Sequence, residues 1–419
     1  MRCLLKYLAP TALLLLCASQ PAVAELVIDG NPDESAWSKA RLIEDFKVVQ
    51  PYTLQKPLHR TSVRIMGTPA GIAVAFDCEQ PAATERRADR TARDADSDGD
   101  RVNLYIDFDG DAKVAYNFMV SLSGALQDST ITNERQFSRD WDGQWQGAAV
   151  DHGERWTAEL LIPWSTASMA GSDTAEREIT VMFDRVIGAN QERSGWPSAS
   201  YSRPRYVSEF ERIRIAQFQQ ASFSIFPYAS VLSDQVNENL QTKFGLDLLW
   251  KPSGDFQLTA ALNPDFGQVE ADELVVNFEA IEAFFSDKRP FFTENQGLFD
   301  VRTPDNGLLV YTRRIGGPRD DDSDRAAEID AAIKINGRFA GTDYGVLSAV
   351  ERDYADDQTG AYLVNRIQRS IGDFQIGYLG TLADRPALDR RAQVHAVDVN
   401  WRPGAAWLVS GQVLGSFVD

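Results

Sequence analysis

From Ala221 to Asp419 the chain repeats one pattern, stretches of about ten residues in which apolar and polar side chains alternate, separated by Gly, Asp, Asn and Pro. In Ser222 to Ser233, Phe223, Ile225, Pro227, Ala229 and Val231 share one face, and in Lys243 to Trp250 so do Phe244, Leu246, Leu248 and Trp250. A period of two places successive side chains on opposite faces of a strand. The pattern predicts nine strands, near Ser222–Ser233, Thr242–Lys251, Phe256–Leu262, Ile329–Phe339, Tyr344–Arg352, Ala361–Arg369, Phe374–Thr381, Gln393–Trp401 and Ala406–Gly415. Their faces suit two solvents, lipid on one side and water or packed polar groups on the other, so the expectation is an antiparallel transmembrane β-barrel. Single-chain bacterial barrels close with an even number of strands, so an odd count that ends at Phe417-Val418-Asp419 reads as a barrel incomplete at its C-terminus.

An insert over 263–328 separates the third strand from the fourth. Within it Leu274, Val275, Phe278, Ile281, Phe284 and Phe285 recur at helical spacing until Lys288-Arg289-Pro290, which predicts a short amphipathic helix. It could enter the lumen as a plug, with Arg313 and Arg314 meeting acidic side chains, or cover one end of the barrel. A soluble β fold is the alternative for the whole C-terminal half.

The preceding segment, 25–220, reads as many short strands divided by turns, among them Thr61–Met66, Gly71–Asp77, Arg101–Asp107, Tyr116–Leu122, Trp156–Ile162 and Ile179–Arg185. A β-sandwich is the expected architecture. Ahead of it, residues 1–24 combine Arg2 and Lys6, an apolar run through Leu13–Leu16 and a small-x-small site at Ala22-Val23-Ala24, the pattern of a cleaved secretory signal. The apolar run from Leu8 to Ala18 is too short for a spanning helix and contains Pro10, and Leu16 stands where a lipidated Cys17 would need a small neighbour. With the leader removed Cys78 alone remains of the three cysteines, so no internal disulfide is expected. These signals predict an outer-membrane protein whose N-terminal module faces the periplasm.

The formal charge of −19 disfavours nucleic acid as a partner and leaves cations, sugars and other polar ligands open. Asp94, Asp96, Asp98 and Asp100 alternate around Gly99 as calcium ligands can, and Asp107, Asp109 and Asp111 surround Gly110. Tyr105 occupies the place of the bidentate Glu of an EF-hand, so the expectation is structural calcium outside that motif, against a solvated acidic loop. Trp141 and Trp145, with Asp142, Gly143 and Gln144 between them, suit stacking on a sugar or a hairpin turn anchored to the core. His59, His152 and His395 are far apart. Glu34, Glu159, Asp184 and Glu209 recommend themselves only as acids, and no catalytic constellation emerges.

Four motifs occur in an order similar to that of family 9 carbohydrate-binding modules. They are Ile28–Glu34 followed by Trp37, then Arg101–Asp107, Trp156–Pro163 and Phe210–Ile215. The resemblance implies a β-sandwich with structural calcium that holds the end of a glycan between two tryptophans. Several positions depart from that pattern. The aromatic ahead of the acidic strand falls at Ser97, the acid within it is Asn103, a basic residue of the next strand is Met119, and Tyr201 and Tyr206 lie nearer the second tryptophan's place than Trp196 does. Trp141, Trp145, Trp196 and Tyr201 are the ligand-binding candidates that remain. Asn263–Asp272, Phe284–Glu294 and Tyr311–Gly316 further resemble signatures of a bacterial outer-membrane family that joins such a module to a barrel. The leading expectation is an outer-membrane protein whose module binds a glycan or another polar ligand. A glycoside hydrolase and a porin or transporter with a structural module are the alternatives.

Overall fold

The computed structural model describes residues 26–139, 141–167, 169, 174–218, 221–234, 239–253, 255–264, 287, 289–293, 296–303, 307–317, 326–353, 358–403, 407 and 409–419. Among them the protein is all-β, with three antiparallel sheets. The first runs in the order β1 (Arg41–Ile43), β3 (Thr61–Thr68), β4 (Gly71–Glu79), β10 (Arg155–Pro163), β9 (Gln146–Asp151). The second runs β2 (Lys47–Gln50), β12 (Glu192–Trp196), β11 (Glu176–Ile187), β5 (Arg101–Asp107), β6 (Val114–Ser121), β7 (Leu126–Thr132), β8 (Gln136–Ser138), with β13 (Glu211–Ala216) also paired to β11.

Alternation decides how these two sheets meet. Val63 and Ile65 of β3 and Ile72, Val74 and Phe76 of β4 share one apolar core with Val102, Leu104 and Ile106 of β5 and Phe118 and Val120 of β6. The sheets therefore face each other across it. The other side of β4 is covered as well, because the small Ala73 and Ala75 leave room for Trp37. Glu159 of β10 fastens that covering segment by accepting from the indole Nε1 of Trp37 at 3.1 Å and the backbone N–H of Gly30 at 2.9 Å. Sequence periodicity marked the six named strands to within a few residues at each end.

The third sheet holds nine strands in chain order: β14 (Ser222–Asp234), β15 (Asn239–Ser253), β16 (Phe256–Leu262), β17 (Glu328–Phe339), β18 (Thr342–Asp353), β19 (Gln358–Ile371), β20 (Phe374–Arg385), β21 (Arg390–Trp401) and β22 (Val409–Val418). All nine expected strands are present, each pairing with its neighbours in sequence. Closure into a barrel is not: β14 and β22 stand at opposite ends of an open sheet. No helix among the described residues is long and apolar enough to cross a membrane.

The faces of this sheet are inverted relative to a water-soluble protein. Following the register, Trp250, Leu258, Ile335 and Val346 line up on one face, as do Ile371, Phe374, Trp401 and Val409. That face is exposed: Phe244 is 68 %, Phe339 79 % and Val413 76 % accessible. The opposite face carries Lys334, Asn336, Asp343, Glu351 and Arg366, all buried. Within β17 the inward Lys334 is 0 % exposed and its neighbour Ile333 39 %, so the charge is inside and the hydrocarbon outside. The departures lie on the edge strands, where Phe226, Leu414 and Val418 are exposed on the inner side.

The described parts of the insert lie on that inner face. Phe291, Phe292, Phe299, Val301 and Ile315 form a core with Ala332, Leu347, Ala349, Val364 and Leu379 of the sheet. Gly345 makes the contact possible, since a Cβ there would fall 2.6 Å from Phe299 and 2.7 Å from Leu298. The cation that ties the insert together is Arg289, which grips Asp287 through Nε (2.8 Å) and Nη2 (2.6 Å) and donates to the carbonyl of Ile315 at 2.6 Å. Pro290–Thr293 forms a single helical turn after it. The amphipathic helix expected across Leu274–Phe285 lies outside the described residues.

Cys78 is fully buried, and burial pushes its thiol up to about 12. The native protein is expected to resist alkylation of Cys78 by iodoacetamide at pH 8 and to be modified at this position once unfolded, as mass spectrometry of the peptide that contains Cys78 would show.

Candidate functional site

The four aromatic candidates do not share a groove. Trp141 and Trp145 are buried in the core between the two front sheets, Trp141 with its ring 4.8 Å from that of Tyr116 and Trp145 with its Nε1 donating to Asp128 Oδ2 at 2.8 Å. Asp128 also accepts from the backbone of Gly143 at 3.2 Å, so the 141–145 turn is anchored inward by a carboxylate. Trp196 is half-buried against the same core, 6.2 Å from Phe183. Tyr201 packs on the opposite face of the second sheet, where the guanidinium of Arg193 sits 5.3 Å from its ring.

The expected calcium ligands each meet a different partner. Asp94 Oδ1 accepts the backbone N–H of Asp128 at 3.0 Å, Asp96 meets Arg139 at 2.5 Å, and Asp100 is buried and accepts backbone N–H groups of Arg87 (2.7 Å) and Gly188 (3.2 Å). From Asp98 it is the backbone carbonyl that is engaged, by Gln191 Nε2 at 2.8 Å. No group of three or more His, Cys, Asp or Glu among the described residues converges as metal ligands do. The four acids read as catalytic candidates are structural as well. Asp184 accepts from Asn103 (2.7 Å), Tyr105 (3.1 Å) and Arg193 (2.7 Å) in a buried cluster, Glu159 and Glu34 both hold Trp37, and Glu209 pairs with Arg203 at 3.2 Å.

What the fold brings together lies at the junction of the second and third sheets. The loop after β5 is shaped by Asp107, whose carboxylate accepts the backbone N–H groups of Asp109 (3.1 Å), Gly110 (2.9 Å) and Ala112 (2.7 Å). This fixes Asp109 and Asp111 so that both project onto Arg338 of β17, at 3.1 and 2.9 Å. Arg338 Nε also donates to Asp343 of β18. Lys113 bridges from the other direction, 2.5 Å from Asp343 and 3.0 Å from Asp111. Arg177 reaches Asp109 at 3.5 Å, and nearby Arg402 stands 3.5 Å from Glu134. Two carboxylates of the front module and one of the sheet thus share two cations. Removing either cation leaves partly buried carboxylates facing one another with one counter-charge fewer.

Beside this lattice opens a cavity of about 490 Å³, within the range of roughly 300–1,000 Å³ usual for small-molecule sites. Its walls come from the front-module loop (Asp107, Lys113), the insert (Arg302) and the inner face of the sheet (Arg366, Asp398, Gln412). The chemistry is that of hydrogen-bonding recognition by amides, guanidinium groups and carboxylates. Sequence reasoning had singled out Asp107, Asp109 and Asp111 as an acidic cluster. It had no signal for Arg338, Arg366 or Asp398, which meet only through strand register.

Residues 221–352 match the family described as Domain of unknown function (DUF5916). No curated protein matches the chain. Among solved structures, a presumed carbohydrate-binding protein from Bacteroides uniformis is similar at 16 % identity over 42 % of this chain and 87 % of that one, with a TM-score of 0.33. An overlap this loose transfers no ligand.

Burial, with the charges of Asp111 and Asp109 added, pushes Asp107 up to about 7. An acid whose folded value lies above its unfolded one keeps its proton longer when folded, so its contribution to stability falls as pH rises from about 4 to 7 and is flat beyond. Thermal melts at several pH values between 4 and 8 should show that decline, and Asp107→Asn should flatten it.

Proposed function

We propose that this chain is an outer-membrane protein in which the nine-stranded sheet stands in lipid while the front module, residues 25–220, closes over its polar inner face and holds a polar ligand between them. In this reading residues 1–24 export the chain, the two face-to-face sheets are a β-sandwich module, and 221–419 form the membrane wall. The observation that carries it is the inverted third sheet. Outward Phe, Ile, Val and Trp side chains are exposed on eight of its nine strands while Lys334, Asn336 and Arg366 are buried behind them. In water that arrangement exposes apolar surface without compensation; in a bilayer the same surface meets hydrocarbon, and the backbone of the seven inner strands is paired on both sides within the sheet.

The ionic lattice supports the second half of the reading, since the front module's Asp109, Asp111 and Lys113 meet the sheet through matched charges. Glu34, Glu159, Asp184 and Glu209 are each engaged in contacts that hold the front module. The ligand-holding space is the junction cavity rather than the aromatic set inferred from sequence.

Three tryptophans, Trp250, Trp401 and Trp407, are exposed, and Trp250 and Trp401 lie on the outward face of the sheet. Reconstituted into phosphatidylcholine vesicles, the protein should lose a substantial part of its tryptophan fluorescence when bromine is placed on the lipid chains. Full emission in brominated vesicles, or protein that stays in the supernatant, would refute membrane insertion.

A further inference from the structure

The insert and the front module are attached to the third sheet in different ways. The insert shares an apolar core with it, where Phe291, Phe299 and Ile315 pack with Ala332, Leu347 and Leu379. No such core forms between the front module and the rest of the chain: each of the four apolar cores among the described residues lies wholly on one side of that junction. The module meets the insert at Gly297, where a Cβ would stand 3.2 Å from Val114. Two clefts, of about 490 and 360 Å³, lie at the junction, each walled by the module and by the sheet. Permanent interfaces resemble a core cut in half, whereas interfaces between domains that move are smaller and more polar.

What crosses the junction is charge. Arg338 meets Asp109 and Asp111, Lys113 meets Asp343, and Arg402 stands 3.5 Å from Glu134. The side chains of Asp109, Asp111, Lys113, Arg338 and Asp343 keep 11–25 % of their surface exposed. Cations that belong to the insert and the sheet sit deeper. Arg289, 10 % exposed, holds Asp287, and Arg366, 4 % exposed, holds Asp398 at 2.9 Å by lying over Gly377, where any Cβ would come within 2.4–2.6 Å of its guanidinium. Dissolved ions therefore reach the junction pairs before the others. At 1 M salt the Debye length is about 3 Å, and accessible pairs lose most of their attraction.

The contacts are also laid out as a pivot and a latch. The chain passes from module to sheet once, between the end of β13 at Ala216 and the start of β14 at Ser222. Ser222 is in register with Lys251 of β15, and Lys251 Nζ donates to the carbonyls of Ala167 (2.7 Å) and Trp164 (3.5 Å) of the module. Covalent connection and buried lysine thus hold the module at the same end of the same two strands. The ion pairs lie far from there, since β17 and β18 are the third and fourth strands beyond β14, and Arg402 follows β21, the seventh.

We infer that the front module is a hinged gate, pivoting on the β14–β15 side of the sheet and held shut by the ion pairs at β17, β18 and β21. This rests on the reading that the module closes over the polar inner face, and adds that the closure is reversible while the insert stays in place. Opening withdraws the Asp107–Lys113 wall from the 490 Å³ cavity and gives solutes a way in. Arg338 and Lys113 are latch residues, each joining the loop after β5 to the β17–β18 turn.

Pulsed dipolar distance measurement on the detergent-purified full chain tests this. One nitroxide is placed on the module at Glu154 and one on the sheet at Leu388, both exposed, and a control pair at Glu154 and Asn190 lies within the module. At about 0.05 M salt the 154–388 pair should give one narrow distance. At about 1 M a longer, broader population should grow at least threefold, and Arg338→Gln and Lys113→Gln should each show that population at low salt. The 154–190 distance should stay constant throughout. Where a substitution moves the control distance the module's own fold has changed, and the salt series on the unsubstituted chain decides. A 154–388 distance that stays narrow and unchanged in strong salt and in both variants overturns the gate alone. A broad distribution at low salt in the unsubstituted chain overturns the closed state as well. Insertion into lipid is tested separately by bromine quenching, so neither result bears on it.

Discussion

Everything in this structure depends on which way the third sheet faces its solvents. A period-two strand must present two different surfaces, and here the charged one is inside. Once Lys334, Glu351 and Arg366 are buried on the inner face, with Arg338 partly buried beside them, they cannot be left without partners, because an unmatched buried charge costs several kcal/mol. The remainder of the chain supplies those partners. Arg338 is met by Asp109 and Asp111 of the front module, Glu351 by the backbone of Gly316 at 2.7 Å and the hydroxyl of Tyr362 at 2.6 Å, and Lys334 by the carbonyl of Phe291.

The front module and the insert therefore do complementary things. The insert brings apolar rings, Phe291, Phe292 and Phe299, to the small-residue rows around Ala332 and Ala349, and so turns part of a polar interior into a packed core. The front module brings charge to the part that remains polar. Between the two fillings, space is left where Arg366, Asp398 and Gln412 line up across β19 to β22. The cavity is the portion of the inner face that neither filling covers. Its proximity to the Asp107–Lys113 loop means that whatever moves the front module also reshapes the cavity's wall.

Much of this was legible in the sequence where local pattern carries the information. Alternation gave all nine strands of the third sheet and the six front strands named, since each is fixed by its own apolar positions. Where residues meet across strands, sequence was silent. Nothing in the letters around Gly377 announces that it seats an arginine from the neighbouring strand, and nothing near Arg338 announces two aspartates more than two hundred residues away. Trp141 and Trp145 had two readings of equal chemical sense, a stacking face or an anchored turn, and Asp128 decided for the anchored turn by accepting from both Trp145 and Gly143. Barrel closure likewise depends on pairing between first and last strands, which alternation within each strand does not encode. The Asp94–Asp100 spacing reads as a ligand loop because alternate acids can converge; in the fold Asp94, Asp96 and Asp100 meet Asp128, Arg139, Arg87 and Gly188, contacts that the letters of the loop do not announce.

The inverted sheet is most directly tested by a nitroxide scan along β20, from Phe374 to Arg385, in reconstituted vesicles, comparing relaxation by oxygen, which concentrates in lipid, with relaxation by a water-soluble nickel chelate. The account predicts alternation, with positions 376, 378 and 380 open to oxygen and shielded from nickel, and 375, 377 and 379 shielded from lipid-borne oxygen. Nickel access at 376 and 378 equal to that of a label on an exposed front-module loop would contradict it.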